Sequence, residues 1–259
     1  MLPELTTAIR TLTILPIPGR EAENPAASLP YFPLVGCLLG LCLWAAGLLG
    51  NLIPGNGWPA GVAGLMVAAH IVLTRALHLD GLADLVDAIG GSWDKHERLA
   101  IMKDSHLGVF GAIAVALVLL LKWLAFARMV AGGTTLWLVL IFAIARAIQV
   151  DLAVQLPYAR AEGGTASSFV EAATSRHRYS ALGFTLVLAV VFGPPGVVLF
   201  TVAVTVSRLY GRWCGKRLGG ISGDMLGAAN ELVETALFML LAALGPTVTT
   251  YSSWEIFAN

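Results

Sequence analysis

Three aspartates, Asp80, Asp84 and Asp87, fall at i, i+4 and i+7 in His78-Leu79-Asp80-Gly81-Leu82-Ala83-Asp84-Leu85-Val86-Asp87, at the end of a long apolar run. On a helix that spacing stacks all three carboxylates on one face. Carboxylates so close repel one another unless something positive sits among them. A hard divalent cation bound through oxygen answers that need. A buried structural network and a water-filled acidic vestibule are the blander readings. At a membrane edge, where ionisable groups are costly, the metal is favoured.

A second constellation runs Gly219-Gly220-Ile221-Ser222-Gly223-Asp224-Met225-Leu226-Gly227-Ala228-Ala229-Asn230-Glu231-Leu232-Val233-Glu234. Asp224, Glu231 and Glu234 share one helical face. Small residues at 223 and 227–229 let another helix or a ligand approach the backbone. The turn before the helix, with Gly220, Ser222 and Gly223, could offer backbone N–H groups to a phosphate. Most such turns are only turns, but an acidic face on a segment that enters a membrane is hard to dismiss.

Between these lies Ile101-Met102-Lys103-Asp104-Ser105-His106-Leu107-Gly108-Val109-Phe110-Gly111. One reading is a solvated entry turn with Asp104 or Ser105 as the helix cap. The other is a phosphate-contacting Lys103 beside a metal-binding Asp104. This segment by itself does not choose.

The elements that must position these groups are membrane helices. The chain of 259 residues is 57% hydrophobic and 12% charged, against roughly 25% charged in soluble domains. Its mean hydropathy is +0.79. Opposite charges cancel, and no basic surplus suggests a nucleic acid. The first twenty residues lack a compact apolar core and contain Pro3, Pro16 and Pro18, so no cleavable signal peptide is expected. Cys37, Cys42 and Cys214 form neither a zinc pattern nor a disulfide framework. Residues 1–259 read as one all-α membrane domain, a polytopic helical bundle.

Apolar segments at 31–53, 57–79, 108–130, 135–156, 180–193, 196–210 and 224–244 are the expected spans. A span needs roughly 20 residues. Gly193-Pro194-Pro195-Gly196 interrupts 180–210, which is two short spans, a re-entrant hairpin or one kinked helix. Lys and Arg cluster in alternate connections, which favours two spans and so seven in all, or six if 180–210 is one helix. The positive-inside rule then puts the N-terminus and every charge-rich connection in the cytoplasm and the C-terminus outside. Lys122, Arg128 and Arg146 are the intramembrane cations. Lys122 and Arg128 snorkel or pair, whereas Arg146 must face the bundle interior.

The three motifs, in this order, resemble the cobalamin synthase family, whose members are adenosylcobinamide-GDP ribazoletransferases. Thr11-Leu-Thr-Ile-Leu-Pro-Ile-Pro18 and Tyr31-Phe-Pro-Leu-Val-Gly36 look like that family's opening, so the resemblance runs from about residue 5 to about residue 240. His106 departs from it, standing where the family more often has arginine. The resemblance implies a late step of vitamin B12 assembly. GDP-activated cobinamide is joined to alpha-ribazole or its 5′-phosphate, GMP is released, and adenosylcobalamin or its 5′-phosphate results. It also implies Mg²⁺ and a prokaryotic cytoplasmic (inner) membrane, with the site facing the cytoplasm.

On that reading Asp80, Asp84 and Asp87 offer one Mg²⁺ ligand set, and Asp224 with Glu231 another. Lys103 is the first choice for phosphate contact and Arg146 the second, with Asp104 beside Lys103 in the catalytic group. His78 could assist proton transfer or simply sit at an interface. The partners are the two soluble substrates and the lipid bilayer, with a homo-oligomer left open.

Two rivals compare poorly. In CDP-alcohol phosphatidyltransferases the opening is like Asp80-Gly81-Leu82-Ala83, but an acid, Asp84, stands where arginine is expected, and the later glycine and paired aspartates are missing. A secondary transporter would place its ionisable groups near the bilayer midplane; here most acids fall in connections at one side.

Overall fold

The protein's structure, a computed structural model, describes residues 2–50 and 57–245. Those residues form helices and one isolated parallel bridge, Tyr158 to Ile221. A short amphipathic helix, α1 (Pro3–Leu12), opens the chain with proline in its first turn, where a missing N–H does no harm. The bundle helices are α2 (Phe32–Gly50), α3 (Pro59–Thr74), α6 (Val109–Ala131), α7 (Leu138–Gln155), α9 (Ser175–Val191), α10 (Gly193–Leu218) and α11 (Gly223–Leu244). Three shorter ones, α4 (Leu77–Gly91), α5 (Lys95–Ile101) and α8 (Ser167–Glu171), lie between them.

Each of the seven expected spans corresponds to one bundle helix. Five segments, those ending in α2, α6, α7, α10 and α11, are long and apolar enough to cross a membrane, and α3 joined to α4 makes up to six. The helix α9, of 17 residues, is shorter than these. Residues 180–210 are two helices that meet at Gly193, whose φ is +78°. Pro194 and Pro195 occupy the first turn of α10, so they begin a helix rather than kink one. The expected turn near 54–56 and the tail after Gly245 lie outside the described residues.

The axis of the bundle is α7. Every residue from Leu138 to Ala153 is buried, as befits a helix apolar nearly all round. Gly36 and Gly40 of α2 meet it backbone to backbone: a Cβ at Gly36 would collide with the carbonyl of Phe142, and one at Gly40 would lie 2.5 Å from the Val139 Cα. This is the small-xxx-small contact of membrane helices. Outward, α6 exposes Ile113, Leu117, Leu120 and Leu124, and α9 exposes Phe184, Val187 and Val191. Stripes of this kind invite aggregation in water and suit a lipid-facing surface.

One element differs from expectation in a way that matters for the site. The second span does not run on to residue 79. It stops at Thr74, and α4 leaves it at 88°. The bend is made by Arg75 and Ala76, both left-handed at φ +53°. Non-glycine residues pay a steric penalty there, and such positions gather at functional sites. The three aspartates therefore ride on a helix laid across the end of the bundle, not on the end of a span.

Candidate functional site

The helix α4 is held at that end by α11. A Cβ on Gly81 would lie 2.6 Å from the carbonyl oxygen of Asp224, and one on Gly227 would lie 3.2 Å from the Cα of His78. Only glycine at 81 lets the two backbones cross this closely. The crossing brings the first acidic motif to the start of the second, as expected for helices with small residues at these positions.

Asp80, Asp84 and Asp224 gather at the crossing. Asp80 is exposed, and Asp84 and Asp224 are half-buried. Burial, then the charges of Asp80 and Asp224, push the Asp84 carboxyl up to about 7, with Arg160 opposing. Arg160 donates from Nη2 to Asp224 Oδ2 at 2.5 Å and to the Met102 carbonyl at 3.3 Å. Ser222 caps α11 by accepting the Met225 N–H at 3.4 Å, and its hydroxyl reaches Asp224 Oδ2 at 3.4 Å. Among the described residues no three His, Cys, Asp or Glu side chains are arranged as a finished metal cage. The donor set nonetheless suits Mg²⁺, which takes one or two carboxylates and fills its octahedron with water and substrate phosphate oxygens. Asp84, raised by like charges, is a carboxyl that a cation would relieve.

Beside these acids opens a cavity of about 460 Å³. Leu12, Leu29, Phe32, Leu77 and Phe169 make apolar walls; Arg75, His78, Asp80, Gln149 and Asp224 supply the main polar groups. The Phe32 and Phe169 rings are 6.0 Å apart. Gln149 Nε2 contacts His78 Nε2 at 3.0 Å. His78 Nδ1 and Gln149 Oε1 are buried without a hydrogen-bond partner among the described residues. Such groups on a cavity wall are available to a ligand.

A second cavity, of about 330 Å³, is lined by Lys95, His96, Lys103, Arg160 and Glu162 among others. Lys103 is exposed and paired with Glu162. Gly220 belongs to neither cavity as a ligand: a Cβ there would collide with the Pro157 carbonyl, and Ile221 exchanges backbone hydrogen bonds with Pro157 and Ala159 at 2.9 Å each. The Gly219-Gly220 turn thus docks the 157–160 segment, which carries Arg160.

Four more expected site residues lie elsewhere. Asp87 faces α6, accepting the N–H of Gly108 and of Gly111 at 2.8 Å each. A Cβ on either glycine would collide with that carboxylate, which explains the Gly-Val-Phe-Gly motif. Asp104 is exposed and turned onto His106, whose hydrogen bond holds its carboxyl below the usual range. Glu231 is two turns inside the bundle, bonded to Lys122 Nζ at 2.8 Å, and is 1% exposed. Arg146 faces the interior, as its depth required, but there it binds Glu234 and is wholly buried. The candidate phosphate contact Arg146 is thus a member of an internal ion cluster, pairing through Nη1 with Glu234, and lines neither of these two cavities. The cluster is Lys122, Arg146, Glu231 and Glu234, with Asn230 donating to Glu234 at 2.8 Å. Two cations against two carboxylates leave it balanced.

The sequence reading gave no role to Arg160, Gln149 or Arg75. Arg160 carried one signal, a lone cation in a charge-rich loop. Gln149 carried another, a polar residue within an apolar span.

An all-α membrane bundle with carboxylates beside one cavity and cations around the next suits a membrane-embedded transferase of phosphate-linked groups. The chain belongs to the cobalamin-5-phosphate synthase family, which it matches over residues 4–242. It is 45% identical over 248 residues to the adenosylcobinamide-GDP ribazoletransferase of Chlorobium chlorochromatii, covering 94% of this chain and 97% of that one. The protein of the same name from Syntrophobacter fumaroxidans is 42% identical over 248 residues, covering 92% and 97%. No solved structure matches the chain.

Proposed function

We propose that this protein is an adenosylcobinamide-GDP ribazoletransferase that needs Mg²⁺ and works at the cytoplasmic face of the inner membrane. The observation that carries the reading is the Asp80–Asp84–Asp224 mouth over a mostly apolar cavity, in a chain of that family. A ribose hydroxyl of alpha-ribazole, or of its 5′-phosphate, attacks the cobinamide phosphorus of adenosylcobinamide-GDP. GMP leaves, and the ribazole ends up phosphate-linked to cobinamide.

One or two of the Asp80, Asp84 and Asp224 carboxylates would hold the ion, with water and substrate phosphate oxygens as its other ligands. Bound there, Mg²⁺ supplies charge neutralisation for the phosphoryl oxygens. The cavity of about 460 Å³ fits the incoming nucleoside: Phe32 and Phe169 for an aromatic base, Gln149 and His78 for polar groups. A corrinoid is too large for either cavity and stays in the open mouth. Arg160 would orient Asp224, and Lys103 would contact phosphate in exchange for Glu162.

The internal charges do not favour a transporter, because they neutralise one another within the bundle. Detergent-purified protein should release GMP from adenosylcobinamide-GDP only when ribazole and Mg²⁺ are both present. Release without ribazole, or none at all, would refute the reaction. For orientation, single cysteines at Lys95 and Gly133 should label from opposite sides of the membrane, Lys95 from the cytoplasm.

A further inference from the structure

We propose that the basic cavity of Lys95, Lys103 and Arg160 receives the nucleoside monophosphate that leaves. The attacking and departing groups would then occupy separate cavities on either side of the Asp224–Arg160 pair. The inference rests on the transferase reading above.

Phosphoryl transfer places the attacking and leaving oxygens roughly in line across phosphorus. One cavity cannot easily hold both. Two cavities flank the acidic mouth, and an ion pair joins them: Asp224 lines the first, Arg160 lines the second, and they bond at 2.5 Å. A phosphorus bound at the acidic mouth is thus flanked by a mostly apolar cavity and a basic one.

Charge decides which group goes where. As the ribose oxygen bonds to phosphorus, the bond from phosphorus to the bridging oxygen breaks. The electron pair stays on that oxygen, now part of the departing monophosphate, and the hydroxyl proton passes to water. Negative charge therefore grows on the leaving side, where cations lower the barrier. The second cavity is lined by Lys95, Lys103 and Arg160 with one lining carboxylate, Glu162, which pairs with Lys103, while Arg160 pairs with Asp224. Lys95 has no carboxylate partner among the described residues, and its ammonium lies over Gly219, where a Cβ would collide with it. The Arg160 Nε is buried without a partner among them. A 5′-phosphate on the incoming nucleoside would meet Arg75, in its own cavity.

The test uses the full chain in detergent, with GMP as the probe. Inhibition by GMP against adenosylcobinamide-GDP, and binding of GMP by itself in equilibrium dialysis, are measured for wild type, Lys95→Ala, Lys95→Arg and Lys103→Met. Lys95→Ala should weaken GMP and raise the KM for adenosylcobinamide-GDP about ten- to a hundredfold, as expected for one charge-assisted hydrogen bond. KM for ribazole and for ribazole 5′-phosphate should stay within about twofold, since a distant contact leaves an independent site nearly unchanged. Lys95→Arg should restore most of the loss, and Lys103→Met should move the same two constants. Unchanged GMP affinity in Lys95→Ala, or a raised KM for ribazole 5′-phosphate in its place, overturns the proposal while leaving the transferase reading intact. Wild type that releases no GMP overturns both.

Discussion

Gly81 and Asp224 touch main chain to main chain: a Cβ on the glycine would stand 2.6 Å from one Asp224 backbone atom and 2.8 Å from another. Two acidic motifs separated by more than a hundred residues become one site through this contact. Gly81→Ala should push α4 off α11. Overpacking of this kind costs about 1–3 kcal/mol. The expected outcome is a lowered melting temperature and a larger loss of GMP release, because the carboxylates move apart. A variant with wild-type turnover would show that the crossing does not set the site.

Asp80→Asn and Asp84→Asn should each cut turnover by orders of magnitude, since they remove charge that holds a cation at the reacting phosphate. Both variants should insert and purify. Near-normal activity of both at limiting magnesium would exclude the assignment. Asp94 serves as the contrast. It caps α5, accepting the N–H of His96 at 2.8 Å and of Glu97 at 3.0 Å. Asparagine caps as well as aspartate, so Asp94→Asn should be silent.

Magnesium binding should depend on pH through Asp84. Its carboxyl is pushed up to about 7, first by burial and then by Asp80 and Asp224. A cation requires the ionised form. Below about 7 the proton competes and affinity falls; above it affinity levels off. Calorimetry in buffers of different ionisation enthalpy should show a proton released on binding near neutral pH. In Asp84→Asn that proton should vanish. Equal affinity at pH 6 and pH 8 in the wild type would contradict the arrangement.

Glu231 gives a test of a different sign. Bonded to Lys122 inside the bundle, it should matter for stability and not for the metal. Breaking one partner of a buried pair costs about 3–5 kcal/mol. Glu231→Gln should therefore melt earlier yet bind magnesium as the wild type does. Lys122→Met combined with Glu231→Gln should regain part of the loss. A drop in magnesium affinity without a drop in stability would return Glu231 to the site.

Hydropathy located most of the bundle helices, because a membrane span needs a long apolar run; the Gly-Pro-Pro-Gly break and the alternation of charge were needed to divide 180–210. The prolines at 194 and 195 leave 180–210 open in the sequence between two spans, a hairpin and one kinked helix; charge alternation favours two spans, and the structure has two helices there. The bend at Arg75 and Ala76 was not legible, since neither residue is glycine or proline and its cause is tertiary. The spacing of Asp80, Asp84 and Asp87 announced a shared face. It could not announce that Asp87 meets Gly108 and Gly111, more than twenty residues on. The same holds for Glu231, whose partner Lys122 lies 109 residues away. Motif spacing finds groups on one helix, whereas commitment to a distant partner is written only in packing.

Asp87 has a reach beyond its own position. Its carboxylate clasps Gly108, so residues 88–107 form a noose drawn tight at the neck by one acid. Lys95 and Lys103 hang from that noose. The aspartate helix thus moors the cationic cavity from a distance. Loosening that noose would blur the grip on the nucleotide without removing any group that touches it.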